Sequence, residues 1–173
     1  VARRELRGYF DQPTAYVLIV AFLGLSLFLG FRTMYASGVA TMRPLFDLMP
    51  LLFAVFVPAA TMRAIAEERR SNTLEWLRAQ PLSEVELVVG KFFGNWAFVL
   101  IAVAATMPTA LGVLMVSEAD SGIVIAQYLG AALLVAQFVA LGLWASSITR
   151  DQITAFIVAA ALSFALFLIG RNA

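Results

Sequence analysis

The sequence has no cysteine and no histidine. That excludes disulfides, thiolate or imidazole metal sites, haem ligation by His, and every catalytic triad or dyad that needs an imidazole base. Charge is scarce too: Asp, Glu, Lys and Arg make up 13% of the 173 residues, and 62% are hydrophobic. Soluble domains run at about a quarter charged and about half apolar, so this composition belongs in lipid. The net charge of +1 gives no electrostatic case for nucleic acid. The few basic residues cluster beside apolar runs, where they would meet lipid headgroups. A phosphate-binding loop is missing as well. Gly90 and Lys91 are followed by Phe92, not by the Ser or Thr that would hold Mg²⁺, so no cofactor is expected in this chain and any ATP binds elsewhere.

Five runs nearly free of charge remain, at 12–31, 45–62, 92–117, 121–149 and 152–170. Each is near or above the roughly 20 residues that a helix needs to cross about 30 Å of hydrocarbon. None alternates over about ten residues as a membrane β-barrel strand does. The predicted fold class is therefore all-α, a polytopic membrane helix bundle forming one transmembrane domain over 1–173. Ahead of the first run, residues 1–11 place Ala2, Leu6, Tyr9 and Phe10 at helical spacing with Arg3, Arg4 and Arg7 between them. That is the pattern of an N-terminal interfacial helix. A cleavable export signal would have a shorter apolar stretch and small residues at a cleavage site, so the first run is taken as an anchor.

With the N-terminus inside, Arg3, Arg4, Arg7, Arg63, Arg69, Arg70, Arg78, Lys91 and Arg150 fall on the cytoplasmic side, and Arg32, Arg43 and Arg171 outside. Nine against three favours that orientation. The expected location is a bacterial plasma (inner) membrane, multi-pass, with a cytoplasmic N-terminus.

The only long polar stretch, 63–91, then lies in the cytoplasm. Glu67 and Glu68 stand beside Arg69 and Arg70, giving paired charges on an extension of the second span. Asn72 and Glu75 have capping-box spacing and open a short helix, Thr73 to Gln80, which Pro81 ends. Ser83 and Glu86 form a second box, opening a helix that runs through Lys91 into the third span. Leu74, Trp76 and Leu77 give the short helix apolar contacts. It fits a groove on a cytosolic partner, and equally an amphipathic re-entry helix on the membrane surface.

The segment EERRSNTLEWLRAQPLSEVELVVGK resembles the signature of ABC-2 type permeases: a Glu-Glu pair, basic residues, a Gly-Thr, then Glu, Leu, Pro-Leu-Ser and Gly-Lys. The runs FDLMPLLFAVFVPAATMRAIAEER and GLWASSITRDQITAFI are similar to the branch containing gliding-motility-associated and nitrous-oxide-reductase-maturation permeases. The resemblance implies a permease half without catalytic residues, a second permease half as homo- or heterodimer, and a separate cytosolic ABC ATPase subunit that binds ATP and Mg. It implies an ATPase-coupling interface at Glu67, Glu68, Arg69, Arg70, Asn72, Thr73, Leu74, Glu75, Trp76, Leu77, Arg78 and Pro81, with Thr149, Arg150 and Asp151 as a second contact. The sequence departs from the family at Asn72, where Gly is usual, though Asn tolerates left-handed backbone. Six spans are expected and five are present, so the chain is read as C-terminally truncated, and Val1 points to trimming at the other end.

Asp47 is the one acid inside a predicted span, and such residues are functional candidates. Three residues after Pro44, it also suits a first turn where a carboxylate complements the helix dipole. Gly90 with Gly94, and Ala132 with Ala136 and Ala140, put small residues on one helix face and allow close approach. Pro50, Pro58 and Pro108 mark kinks. Ser146 and Ser147 have no base nearby in sequence to make a nucleophile. An ion-coupled secondary transporter and a force-transmitting membrane scaffold are the alternatives to an ATP-driven permease.

Overall fold

The computed structural model describes residues 8, 10, 13–38, 41–62, 64, 84–117, 120–149 and 151–172. Its helices are α1 (Pro13–Ser37), α2 (Arg43–Thr61), α3 (Glu84–Ala104), α4 (Met107–Val116), α5 (Ser121–Ile148) and α6 (Gln152–Asn172). There is no strand among the described residues. With α3 and α4 counted as one segment, Val85–Val116, five segments are long and apolar enough to cross a membrane. In lipid every backbone group must be satisfied inside its own segment, which is why charge-poor runs of this length become helices.

The helices overrun the charge-poor runs most at two places. α1 continues past Phe31 to Ser37 and carries Arg32 on an exposed face, where a long basic side chain can reach the interface. α3 begins at Glu84, inside the polar stretch, as the Ser83 and Glu86 spacing suggests. The predicted interfacial helix lies outside the described residues apart from Gly8 and Phe10, which are helical. The Phe10 ring meets Tyr16 and Phe98 edge-on, at 5.9 and 6.2 Å between centroids.

Local chemistry marks the helix ends. Gly38 takes φ 67° and donates its N–H to the Met34 carbonyl at 3.0 Å, closing α1; glycine bears that left-handed backbone without a Cβ penalty. Pro44 sits in the first turn of α2, where its missing N–H costs nothing. Asp120 caps α5 by accepting the Gly122 N–H at 2.8 Å.

α2 is the hub, packing against α1, α5 and α6. Half of its apolar span is buried, against a third or less of the others. Met49, Phe53 and Val57 are fully enclosed. Phe22 of α1 stacks on Phe53 at 5.7 Å and meets Phe56 edge-on at 5.5 Å. On α5 the buried stripe is Ala131, Val135, Phe138, Gly142 and Ala145. The alanines singled out from sequence lie beside that stripe: Ala132 and Ala136 are half-buried and Ala140 is exposed, whereas Gly90 and Gly94 are both buried.

Thr61 and Gly142 approach closely. A Cβ at position 142 would overlap the Thr61 hydroxyl and lie 2.8 Å from the Thr61 Cβ. Lipid supplies no hydrophobic drive between helices, so such close packing carries association. Gly142→Val is expected to lower thermal stability in detergent by the equivalent of about 1–3 kcal/mol through overpacking. Gly130→Ala, which has open space around its Cβ, should leave the melting temperature unchanged. A fully stable Gly142→Val protein would show that α2 and α5 do not touch there.

Candidate functional site

The end of the bundle where α2 finishes and α3 starts, here termed basal, carries the polar stretch. A membrane helix ends with carbonyls that lack intrahelical partners. At the end of α2 the Met62 N–H bonds to the Pro58 carbonyl at 2.9 Å and the Ala64 N–H to the Thr61 carbonyl at 3.0 Å. Two of the remaining carbonyls are claimed by other helices. Ser146 Oγ of α5 donates to Met62 O at 3.3 Å, and Lys91 Nζ of α3 donates to Ala64 O at 2.6 Å.

The surrounding side chains are enclosed. Lys91 is 1% exposed, and Thr61, Asn95 and Ser146 are fully buried. Asn95, one turn beyond Lys91, donates Nδ2 to the Lys91 carbonyl at 2.8 Å. Thr61 Oγ1 donates back to Val57 O at 3.0 Å. The Trp96 indole N–H reaches across to the Ala132 carbonyl at 3.0 Å, fastening α3 to α5. Cations are favoured near the negative end of a helix dipole, and Lys91 places its ammonium there.

Of the residues named from sequence, Glu67, Glu68, Arg69, Arg70, Asn72, Thr73, Leu74, Glu75, Trp76, Leu77, Arg78, Pro81 and Arg150 lie outside the described residues. Thr149 ends α5 half-buried, its hydroxyl on the Ala145 carbonyl at 2.9 Å. Asp151 is exposed, and its carbonyl receives the Ala155 N–H at 3.0 Å as α6 begins. Residues flanking both polar segments therefore meet at the end of α2: Lys91 on Ala64 for the first and Ser146 on Met62 for the second. Asp47 is on an exposed face of α2, one residue past the first turn. The Ser147 hydroxyl donates to the Trp144 carbonyl at 2.7 Å.

Sequence reasoning placed Lys91 on the helix entering the third span and counted it among the cytoplasmic charges, without foreseeing its burial, and gave no role to Thr61, Asn95 or Gly142. The available signal was the pairing of Lys91 with Asn95 four residues on, two polar groups on one face of an apolar helix.

A second polar cluster stands at the opposite end. The third span is broken between α3 and α4 at Ala105 and Thr106, just ahead of Pro108. Thr106, fully buried, donates Oγ1 to Val103 O at 2.7 Å and shares a 2.9 Å hydrogen bond with the Tyr128 hydroxyl of α5. Phe46 of α2 meets the Tyr128 ring edge-on at 4.9 Å. Pro108 lacks the N–H that a continuous helix would give to the Ala104 carbonyl, and at the break the Val103 carbonyl accepts both the Thr106 N–H and its hydroxyl. Thr106→Val leaves the half-buried Tyr128 hydroxyl without this partner and should cost about 0.6–1.7 kcal/mol. Adding Tyr128→Phe should recover most of the loss, because deleting both partners is nearly neutral. Chemical or thermal denaturation of the two variants in one detergent checks this; a double variant as weak as the single one would deny the pairing.

Residues 9–173 match the family described as ABC-2 family transporter protein. No curated protein and no solved structure matches the chain.

Proposed function

The chain belongs to the ABC-2 family of transporter proteins, and from that premise we propose that it is the permease half of an ATP-driven transporter, turned by a separate ATPase subunit that binds ATP and Mg. The observation that carries this reading is the basal junction. Stems of the two segments assigned to ATPase contact, 63–91 and 149–151, meet at the end of α2, the helix with the most partners in the bundle. A displacement of either segment would be delivered to the helix that touches α1, α5 and α6 together.

In this reading Thr73 to Gln80 is the main coupling helix, seated in a groove of the ATPase, with Thr149, Arg150 and Asp151 as the second contact. The N-terminus and the basal end face the cytoplasm of a bacterial inner membrane, in line with the distribution of Lys and Arg. A second permease half completes the transporter, and the branch is the one containing gliding-motility-associated and nitrous-oxide-reductase-maturation permeases. An ion-coupled carrier would draw on Asp47, whose exposed position on the helix surface lends that reading nothing.

Affinity purification of the tagged protein from its native membrane is expected to recover a cytosolic ATPase. The double variant Glu75→Arg/Trp76→Ala should reduce that recovery about tenfold or more, since a central aromatic and a reversed charge act as interface hot spots. Purification of the wild type with no ATPase would sink the proposal.

A further inference from the structure

We propose that Lys91 is the positioning residue that joins the two stems of the 65–83 segment into one mechanical body. Its buried ammonium, held on the Ala64 carbonyl, ties the end of α2 to the inner part of α3, so that force on the segment moves both helices together. This rests on the coupling function proposed above.

A loop can transmit a push only if its two stems cannot part. Residues 65–83 leave from Ala64 and return at Glu84, yet α3 packs chiefly on α5 and touches α2 little. Side-chain packing alone therefore does not bind the stems. Among the described residues, one contact that crosses between them is the 2.6 Å hydrogen bond from Lys91 Nζ to Ala64 O. Lys91 is the eighth residue of α3, about 10 Å along the helix from Glu84 at 1.5 Å per residue. From such a position a lysine would ordinarily extend its head toward water. Lys91 instead turns inward and is 1% exposed.

Burying an ammonium is expensive, and charged groups at membrane depth persist where they serve a function and have a partner. Capping a free carbonyl does not in itself demand a charge: at Met62, two residues earlier, the hydroxyl of Ser146 does it. The charge adds strength and reach, because a hydrogen bond from an ionised donor is shorter and about twice as strong as a neutral one. A single lysine thereby spans the thinly packed seam between α2 and α3, while Asn95 braces its backbone.

The test uses hydrogen exchange on the full-length protein with its co-purified ATPase in lipid nanodiscs, nucleotide-free and trapped with ATP and vanadate. In the wild type, peptides covering 57–64 and 85–95 should change protection together on trapping. In Lys91→Met the two should respond separately, with protection at the end of α2 about tenfold lower, the effect of one lost charge-assisted hydrogen bond. Lys91→Arg, which keeps a charged donor, should restore the joint response, a result that a purely space-filling role would not give. A joint response retained in Lys91→Met overturns the proposal. So does a wild type in which one segment responds without the other, a result that stands even if the variant fails to fold. Loss of the ATPase from the wild type would instead defeat the coupling reading, and shows before any variant is made.

Discussion

The constraint on which this structure depends is the fate of backbone carbonyls at the end of a membrane helix. Along its length a helix satisfies its own peptide groups, but its last turn cannot, and near hydrocarbon each orphan is costly. α2 meets this by borrowing donors from two neighbours, Lys91 of α3 and Ser146 of α5. Once those donors are engaged, the helix ends are held in register. That in turn allows Thr61 to lie against Gly142 with no room for a Cβ between them. The polar contacts and the close packing at the basal end are one arrangement: hydrogen bonds set the depth, and the absent side chain at position 142 sets the separation.

The two ends of the bundle differ in kind. At the basal end a buried cation, a buried amide and a glycine contact lock three helices. At the other end the third span is interrupted, and the contacts around the break are a hydroxyl pair and an aromatic edge. Ala104 and Ala105 at the break are exposed, as is most of α4. A bundle stiff at one end and segmented at the other suits a body that receives force at the first and rearranges at the second. The pairing of Thr106 with Tyr128 is then a latch of modest strength, since interhelical hydrogen bonds in membranes average about 0.6 kcal/mol.

The spans were legible because absence of charge over some twenty residues leaves few alternatives to a helix in lipid. Pro108 likewise flagged the region of the break, though not its closure by a residue of α5. Lys91 was not legible in its true role. A lysine at the edge of an apolar run reads as a cytoplasmic charge, and whether its head turns outward or inward depends on a carbonyl 27 residues earlier in the chain. The alanine stripe on α5 lies one position off the most buried line, because small residues can follow one line while the neighbouring helix covers the next. Removing Lys91 from the nine cytoplasmic charges leaves eight against three, so the charge argument for orientation does not hang on it.

The core also bears on where cargo could pass. Among the described residues the largest enclosed side chains include Phe53, Met49, Val57, Val135, Phe138 and Val139, a largely apolar interior. The buried polar residues among those described are Ser26, Thr61, Lys91, Asn95, Thr106, Ser146 and Ser163. All but Ser163 have a hydrogen bond, and most of these tie one helix to another or to its own preceding turn. Polar groups spent in this way stabilise the bundle and are not presented to a passing molecule. On the permease reading proposed above, a chain with such a core would contribute a wall, and a path across the membrane would run along its outer surface, against lipid or another subunit. The broad apolar exposure of α1, α5 and α6 provides that surface, and movement of the basal junction would reshape it by tilting α2 and its neighbours as one piece.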